Sequence, residues 1–130
     1  MSPDISAPAS PYLLLVLSFL ALLVVYLLVA LVEGVFLSVL NWRPFRASMF
    51  ISVIMNITSG IVNGILLILL QHTPYIWLPI SFVLSIVIEL FIMTYFKREA
   101  LRQNSFFALL VNLASYVILI LPAYYFGART

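Results

Sequence analysis

Cysteine is absent from this chain, and charged residues are scarce. Among 130 residues there is no Cys, and Asp, Glu, Lys and Arg together make up 8%. Without Cys there can be no disulfide, no thiolate nucleophile and no Cys-ligated metal or cluster. Soluble domains carry about 25% charged residues, so the composition excludes an ordinary soluble fold. The formal net charge of +2 is too small to indicate nucleic-acid binding.

Sequence motifs for catalysis or cofactor binding are missing as well. The single histidine, His72, stands beside Pro74 in a short polar segment, and one imidazole without a second ligand makes a poor metal site. No Ser–His–Asp spacing, metal-binding motif or Gly-rich phosphate loop occurs. The sequence therefore predicts a protein that is not an enzyme, with no catalytic residue, no metal and no cofactor.

Hydrophobic residues make up 65% of the chain, and they fall into four long runs. A helix needs about 20 residues to cross the hydrocarbon core of a bilayer. We predict membrane-spanning helices at about residues 12–40, 47–70, 75–96 and 105–126. The expected fold is an all-α, four-helix transmembrane bundle that forms a single integral membrane domain over residues 1–130.

A glutamate occurs twice within these runs, in matching surroundings. Glu89 follows Glu33 by 56 positions (89 − 33), and the polar residues that come after each glutamate repeat at the same offset. The repeated set is Glu33, Arg46, Asn56 and Ser59, followed by Glu89, Arg102, Asn112 and Ser115. A charged residue inside a membrane span is costly, so two in register indicate a duplicated unit. We predict two parallel-topology helical-hairpin repeats, at about residues 12–70 and 75–126, related by an axis near the membrane normal.

The depth of each polar residue follows from its distance along the chain to the basic loops. Glu33 lies about ten residues before Arg43, and Asn56 about ten after Arg46, so both are about 15 Å from the same interface. The second hairpin repeats this arrangement. We therefore expect a Glu–Asn hydrogen bond across each hairpin, with the repeated Ser three residues beyond each Asn on the same helix face.

Three interpretations of this polar set stay open, and the third of them is a contact with a lipid, pigment or quinone. In the first, the set holds the helices together, because interhelical polar contacts in membranes contribute roughly 0.5–2 kcal/mol each. A protonated Glu bonded to Asn would suffice for that. In the second, Glu33 and Glu89 bind a proton or cation on a transport path, because intramembrane carboxylates are candidates for functional sites.

The second predicted helix carries a stripe of small and polar residues. Its members are Ser48, Ser52, Asn56, Ser59 and Asn63, with Gly60 and Gly64 beside them as a GxxxG pair. Small and polar residues are what membrane helices bury against one another. We expect the GxxxG pair to pack within the bundle rather than to form a homodimer.

Five of the six basic residues fall in two loops that the topology places at one end of the bundle: Arg43, Arg46, Lys97, Arg98 and Arg102. The positive-inside rule puts this end in the cytoplasm and both termini outside. Asp4, His72 and Arg129 lie on the outer side. The five basic side chains can also contact anionic lipid headgroups, at about 1 kcal/mol each. We place Trp42 in the aromatic belt at the cytoplasmic interface.

The first helix is longer than a bilayer requires. Its 29 predicted residues span about 43 Å, against a hydrocarbon core of about 30 Å. About two turns near residues 11–20 should therefore project beyond the outer surface. Because this segment is apolar on all sides, we expect a partner protein or a second copy to cover it.

A mid-membrane Glu, a short basic loop and Asn-x-x-Ser in the next helix form a pattern that resembles one hairpin of the cyanobacterial filament-integrity membrane proteins. The similarity covers one hairpin and rests on Glu33, Asn56 and Ser59, and again on Glu89, Asn112 and Ser115. Those proteins contribute to a junction complex between cells and are not enzymes. The resemblance implies a bacterial, non-enzymatic membrane subunit.

Two function classes follow. The first is a structural or accessory subunit of a larger complex in the bacterial cytoplasmic membrane, whose partners are the lipid bilayer and other subunits or further copies of itself. The alternative is a small oligomeric transporter or channel that uses Glu33 and Glu89 as proton or cation sites. The helices that carry the glutamates have few other polar residues, which favours the subunit; these are Ser18, Ser38, Ser81 and Ser85.

Overall fold

The computed structural model of the protein describes residues 10–70 and 73–127, and every regular element in those ranges is helical. The elements are α1 (Pro11–Val39), α2 (Phe45–Leu69), α3 (Pro74–Phe96), a 3₁₀ turn (Arg98–Ala100), α4 (Leu101–Ser115), a π-helical turn (Tyr116–Ile120) and α5 (Leu121–Gly127). The backbone stays helical from α4 through the π-helical turn into α5, so the described chain forms a bundle of four helical segments.

Proline and asparagine set the limits of these helices. Pro11 and Pro74 occupy the first turns of α1 and α3, where no intrahelical donor is needed, and Pro44 precedes α2 as its N-cap. Beyond the end of α1, Asn41 has a φ of 56°, a left-handed conformation that asparagine tolerates better than most residues. The chain therefore reverses within a few residues between α1 and α2.

Three helices are long and apolar enough to cross a membrane: Pro11–Val39, Phe45–Leu69 and Tyr75–Phe96. The fourth segment, residues 101–127, is divided by the π-helical turn. Its total length at 1.5 Å per residue is about 40 Å, which also exceeds the hydrocarbon core. The predicted all-α four-helix bundle is confirmed. The prediction missed the π-helical turn, and it began the last helix at 105 rather than at Leu101.

The helices form a closed ring in sequence order. Each helix packs on the next one along the chain, and α1 completes the ring by packing on α4. One end of the ring has an apolar core, which consists of Leu37, Trp42, Ile51, Met55, Met93, Phe107, Ala108 and Val111. Toward the opposite end α1 is less buried: its buried residues begin only at Val29.

The apolar core lies at the end of the bundle that carries the two basic loops. Arg43 Nη2 donates to the carbonyl of Phe96 at 2.6 Å, and Lys97 Nζ donates to the carbonyl of Trp42 at 3.2 Å. These bonds tie the loop between α1 and α2 to the loop between α3 and α4. The five basic residues of the sequence prediction therefore share one end of the molecule. Asp4, His72 and Arg129, which were assigned to the other side, lie outside the described residues.

The expectation that Trp42 belongs to an interfacial aromatic belt is wrong. Its side chain is only 2% exposed, and Nε1 donates to Oδ1 of buried Asn104 at 2.8 Å. Asn104 in turn donates to the carbonyl of Lys97 at 2.9 Å. The indole faces inward because this internal acceptor satisfies its N–H, and it links the first loop to the start of α4.

Candidate functional site

Both predicted Glu–Asn contacts are present. Asn56 Nδ2 donates to Glu33 Oε2 at 2.7 Å, and Asn112 Nδ2 donates to Glu89 Oε2. Each bond joins residues that are 23 positions apart, and each spans the two helices of one hairpin. All four side chains are at most 2% exposed. Counting residues from the loops placed them correctly because both connections are short.

The two hairpins also agree in how each Asn contacts its own helix. The second hydrogen of Asn56 goes to the carbonyl of Ser52 at 3.0 Å, and that of Asn112 to the carbonyl of Ala108 at 2.8 Å. Both amides are thereby fixed in orientation with Nδ2 facing a carboxyl group. The contacts of Asn56 and Asn112 are therefore the same in the two hairpins.

The serines break this equivalence. Ser115 Oγ donates to Glu33 Oε1 at 2.7 Å and so connects the second hairpin to the first. Ser59 is also buried, but its Oγ donates to the carbonyl of Asn56 at 3.3 Å. Among the described residues, Glu33 therefore receives two side-chain hydrogen bonds and Glu89 receives one. The two carboxyl groups have different surroundings although their sequences match.

Both carboxyl groups line a single internal cavity of about 180 Å³. The polar residues that line the cavity are Glu33, Asn56, Ser59, Asn63, Ser81, Ser85, Glu89, Asn112 and Ser115, and the aromatic ones are Tyr26, Trp77 and Tyr116. All six residues that the sequence singled out thus lie around one cavity.

The sequence prediction did not place the α3 serines or the aromatic residues in this site. Ser81 and Ser85 are buried, and together with Glu89 they recur every four residues along α3, so they share its inner face. That spacing was the available signal. Tyr26, Trp77 and Tyr116 gave no such signal, because aromatic residues are common at membrane interfaces.

Asn63 is the most unusual residue in the cavity wall. It is 1% exposed, and its Nδ2 donates to Ser85 Oγ at 2.8 Å. The hydroxyl of Tyr26 interacts with the same amide group, yet Asn63 Oδ1 accepts no hydrogen bond. Buried polar atoms are nearly always paired, so this carbonyl oxygen is a free acceptor at the cavity wall.

The cavity is closed at one end and extends toward the other. The fully buried side chains Leu37, Met55 and Met93 fill the bundle on the side of the basic loops. In the opposite direction the lining continues past the carboxyls to Leu67 and Trp77, near the connection between α2 and α3. The cavity therefore occupies one half of the bundle, from the carboxyls outward.

The stripe predicted on α2 is internal. Its five members are at most 2% exposed: Ser48, Ser52, Asn56, Ser59 and Asn63. The nearby glycines face α1. A Cβ at Gly60 would lie 3.1 Å from the ring of Tyr26, and one at Gly64 would lie 3.8 Å from Leu22. The structure thus places the GxxxG pair against a neighbouring helix of the same bundle.

The basic residues lie away from the cavity. Arg46 and Arg102 are exposed at the loop end, and Arg98 stands 5.8 Å over the ring of Tyr95. Arg43 and Lys97 bind the loop carbonyls described above. Within residues 10–70 and 73–127, no cluster of three or more His, Cys, Asp or Glu side chains could hold a metal ion.

No protein family, curated protein or solved structure matches this chain. Its function must therefore be argued from the chemistry of the cavity and of the exposed surface.

Proposed function

We propose that the protein is a small, non-enzymatic membrane transporter or channel that binds a proton or cation at Glu33 and Glu89. The observation that carries this proposal is that both carboxyl groups line one cavity inside the bundle. Carboxylates within a membrane domain are functional candidates by default, and here two of them share one space.

The cavity itself argues against a purely structural role for the polar set. Interiors are close-packed, and unfilled volume costs stability. A set of side chains that served only to hold helices together would be expected to fill the space between them. Instead the hydrogen bonds of Glu33 and Glu89 lie in the wall of a cavity of about 180 Å³.

The serines of α3 add hydroxyl groups to a lining that is otherwise mostly apolar, and a transport route needs such polar groups. Ser81 and Ser85 extend the polar surface outward from Glu89, and Asn63 faces them from α2. The small number of polar residues on α3 favours a subunit over a transporter. The position of these serines on the inner face of α3 nevertheless supports a transporter. The apolar core beyond the carboxyls would then be the closed gate of this conformation.

Proton flux into proteoliposomes tests the proposal. Vesicles that contain a pH-sensitive dye are energised with a potassium–valinomycin potential, and the rate of acidification is compared among the wild type, Glu33→Gln, Glu89→Gln and the double variant. Gln keeps the shape of Glu and an acceptor for Asn, so the fold should persist while the titratable group is lost. We expect the double variant to fall to the rate of empty vesicles.

The matched control is Glu99→Gln, because Glu99 is exposed in the loop between α3 and α4 and does not line this cavity. It should conduct as the wild type does. If the wild type passes neither protons nor alkali cations, or if the double variant conducts normally, the transport proposal fails.

A second candidate function, an accessory subunit of a larger membrane complex, is supported by the surface of α1. Every side chain from 11 to 20 is exposed, and the large apolar ones in this segment are at least 49% exposed, including Leu14 and Val16. The helix has 29 residues, about 43 Å, so part of it exceeds a hydrocarbon core of about 30 Å. Lipid covers the membrane part but not the excess.

Assembly in mild detergent tests this second candidate. Under it, the wild type migrates as a larger species, and Leu14→Gln combined with Val16→Gln reduces its size, as does removal of residues 1–16. The control is Val24→Gln with Leu28→Gln, because both positions are similarly exposed but lie deeper in the helix. A dispersed monomer whose mass is the same in the wild type and in all variants would refute the subunit.

Location follows the charge distribution in this proposal. The protein would reside in the bacterial cytoplasmic membrane with both basic loops in the cytoplasm and both termini outside. The cavity would then extend toward the outer surface. Duplication of an ancestral hairpin accounts for the matching Glu–Asn bonds of the two halves.

A further inference from the structure

Strong hydrogen-bond acceptors stand in the wall of the cavity. Its two carboxyl groups accept hydrogen bonds, and the unpaired Oδ1 of Asn63 is a further acceptor in the same wall. Within the described part of the chain, no Lys, Arg or His lines the cavity. A ligand that complements this surface must donate hydrogen bonds and must not carry negative charge.

The two carboxyl groups accept different numbers of hydrogen bonds, and this difference indicates where a ligand would bind. Glu33 receives hydrogen bonds from Asn56 and Ser115, both at 2.7 Å. Glu89 receives one, from Asn112. Glu89 and Asn63 can therefore accept further hydrogen bonds. Asn63 lies on α2 and Glu89 on α3. Ser85 connects the two helices, because it lies one turn before Glu89 and accepts a hydrogen bond from Asn63.

The aromatic residues in the wall favour a cation. Tyr26, Trp77 and Tyr116 line the same cavity. The faces of such rings attract ammonium groups, most strongly where water is excluded. A positive ligand would also supply the counter-charge that a carboxylate needs when it is buried among apolar helices. The described residues hold no group of three His, Cys, Asp or Glu side chains, which favours an organic cation over a divalent or transition-metal ion.

The volume sets the size of the ligand. A closed apolar cavity of about 150 Å³ accommodates benzene. The cavity here measures about 180 Å³, so a molecule of about seven or eight non-hydrogen atoms would fill it. An inorganic cation would leave most of this space empty, whereas a small organic amine would fill it and bury its hydrocarbon part against the aromatic rings.

We infer that the cavity binds a small protonated primary amine, which pairs with Glu89 and donates a second hydrogen bond to Oδ1 of Asn63. The amine reaches this position from the end of the cavity at Leu67 and Trp77. The inference rests on the proposed function, since it names the class of cation that the transport site would take.

Isothermal titration calorimetry on the protein in lipid nanodiscs tests the inference. The probe is cyclohexylammonium, and cyclohexanol is the uncharged compound with the same number of non-hydrogen atoms. Empty nanodiscs give the contribution of partitioning into lipid. We expect saturable binding of the amine at one site per chain, and binding of the alcohol at least tenfold weaker.

Variants assign the contacts. Glu89→Gln should weaken amine binding at least tenfold, Glu33→Gln should weaken it less, and Glu99→Gln should leave it unchanged. Asn63→Leu removes the acceptor and should weaken binding roughly tenfold. Because that change also removes the bond to Ser85, Asn63→Asp serves as a second variant: it retains the shape, adds a negative charge and should tighten binding.

The inference is overturned if the alcohol binds as tightly as the amine, if Glu89→Gln binds the amine normally, or if the wild type gives no heat beyond that of empty nanodiscs. Proton flux separates this failure from failure of the proposed function. Flux that depends on Glu33 and Glu89, without amine binding, would leave a proton pathway and remove only the amine. Absence of both flux and binding would remove both.

Discussion

Replacing Glu33 measures how strongly the buried hydrogen bonds hold the bundle together. Its carboxyl accepts from Asn56 and from Ser115, so it connects α1 to both α2 and α4. In Glu33→Gln, the remaining carbonyl oxygen can accept from Asn56, and the new amide can donate to the Ser115 hydroxyl, which accepts as well as it donates. Glu33→Leu has a similar volume and removes both acceptors.

The structure limits the cost of the leucine variant. Asn56 also donates to the carbonyl of Ser52 at 3.0 Å, and Ser115 to the carbonyl of Asn112 at 3.0 Å. Neither donor is left unpaired when Glu33 is lost. The average interhelical polar contact in a membrane is worth about 0.6 kcal/mol, so two of them give a loss of about 1–2 kcal/mol. For Glu33→Gln we expect a loss below about 0.5 kcal/mol, because both contacts persist.

Unfolding in mixed micelles of dodecyl maltoside and dodecyl sulfate, followed by helical circular dichroism, gives the free energies to compare. Glu99→Gln, at an exposed loop position, is the control for the change in charge. The reasoning is refuted if Glu33→Gln loses as much stability as Glu33→Leu, since the contacts would then need the carboxylate itself. It is refuted equally if Glu33→Leu is more stable than the wild type.

Three further predictions concern packing and topology. Trp42→Phe leaves the buried Oδ1 of Asn104 without its donor and should cost about 1–3 kcal/mol in the same titration; no loss would show that water replaces the indole N–H. An added methyl at Gly34 would lie 3.1 Å from a backbone atom of α2, whereas a methyl at Gly64 would lie 3.8 Å from the nearest side chain. Gly34→Ala should therefore be less stable than Gly64→Ala by about 1 kcal/mol or more. Equal stabilities would contradict that difference. A cysteine at Gln103 should resist an impermeant thiol reagent in intact cells and react after permeabilisation, and labelling from outside would overturn the topology.

The depth of each polar residue was determined by the sequence alone. Long apolar runs specify helices in a membrane because the bilayer offers no other partners to the backbone. Short loops then fix the register between neighbouring helices, since each residue advances the chain by about 1.5 Å. For this reason counting from Arg43 and Arg46 placed Glu33 opposite Asn56, and the same count worked in the second hairpin.

Rotation and the packing of one hairpin on the other were decided only by the tertiary structure. A helix that is apolar on nearly every side gives little indication of which face turns inward, because lipid and protein interior are equally apolar. The sequence therefore did not reveal that Glu33 would meet Ser115 of the other hairpin, or that Trp42 would turn inward to Asn104. The shared cavity arises from that packing: four inner faces leave about 180 Å³ between them, and neither hairpin encloses this space by itself.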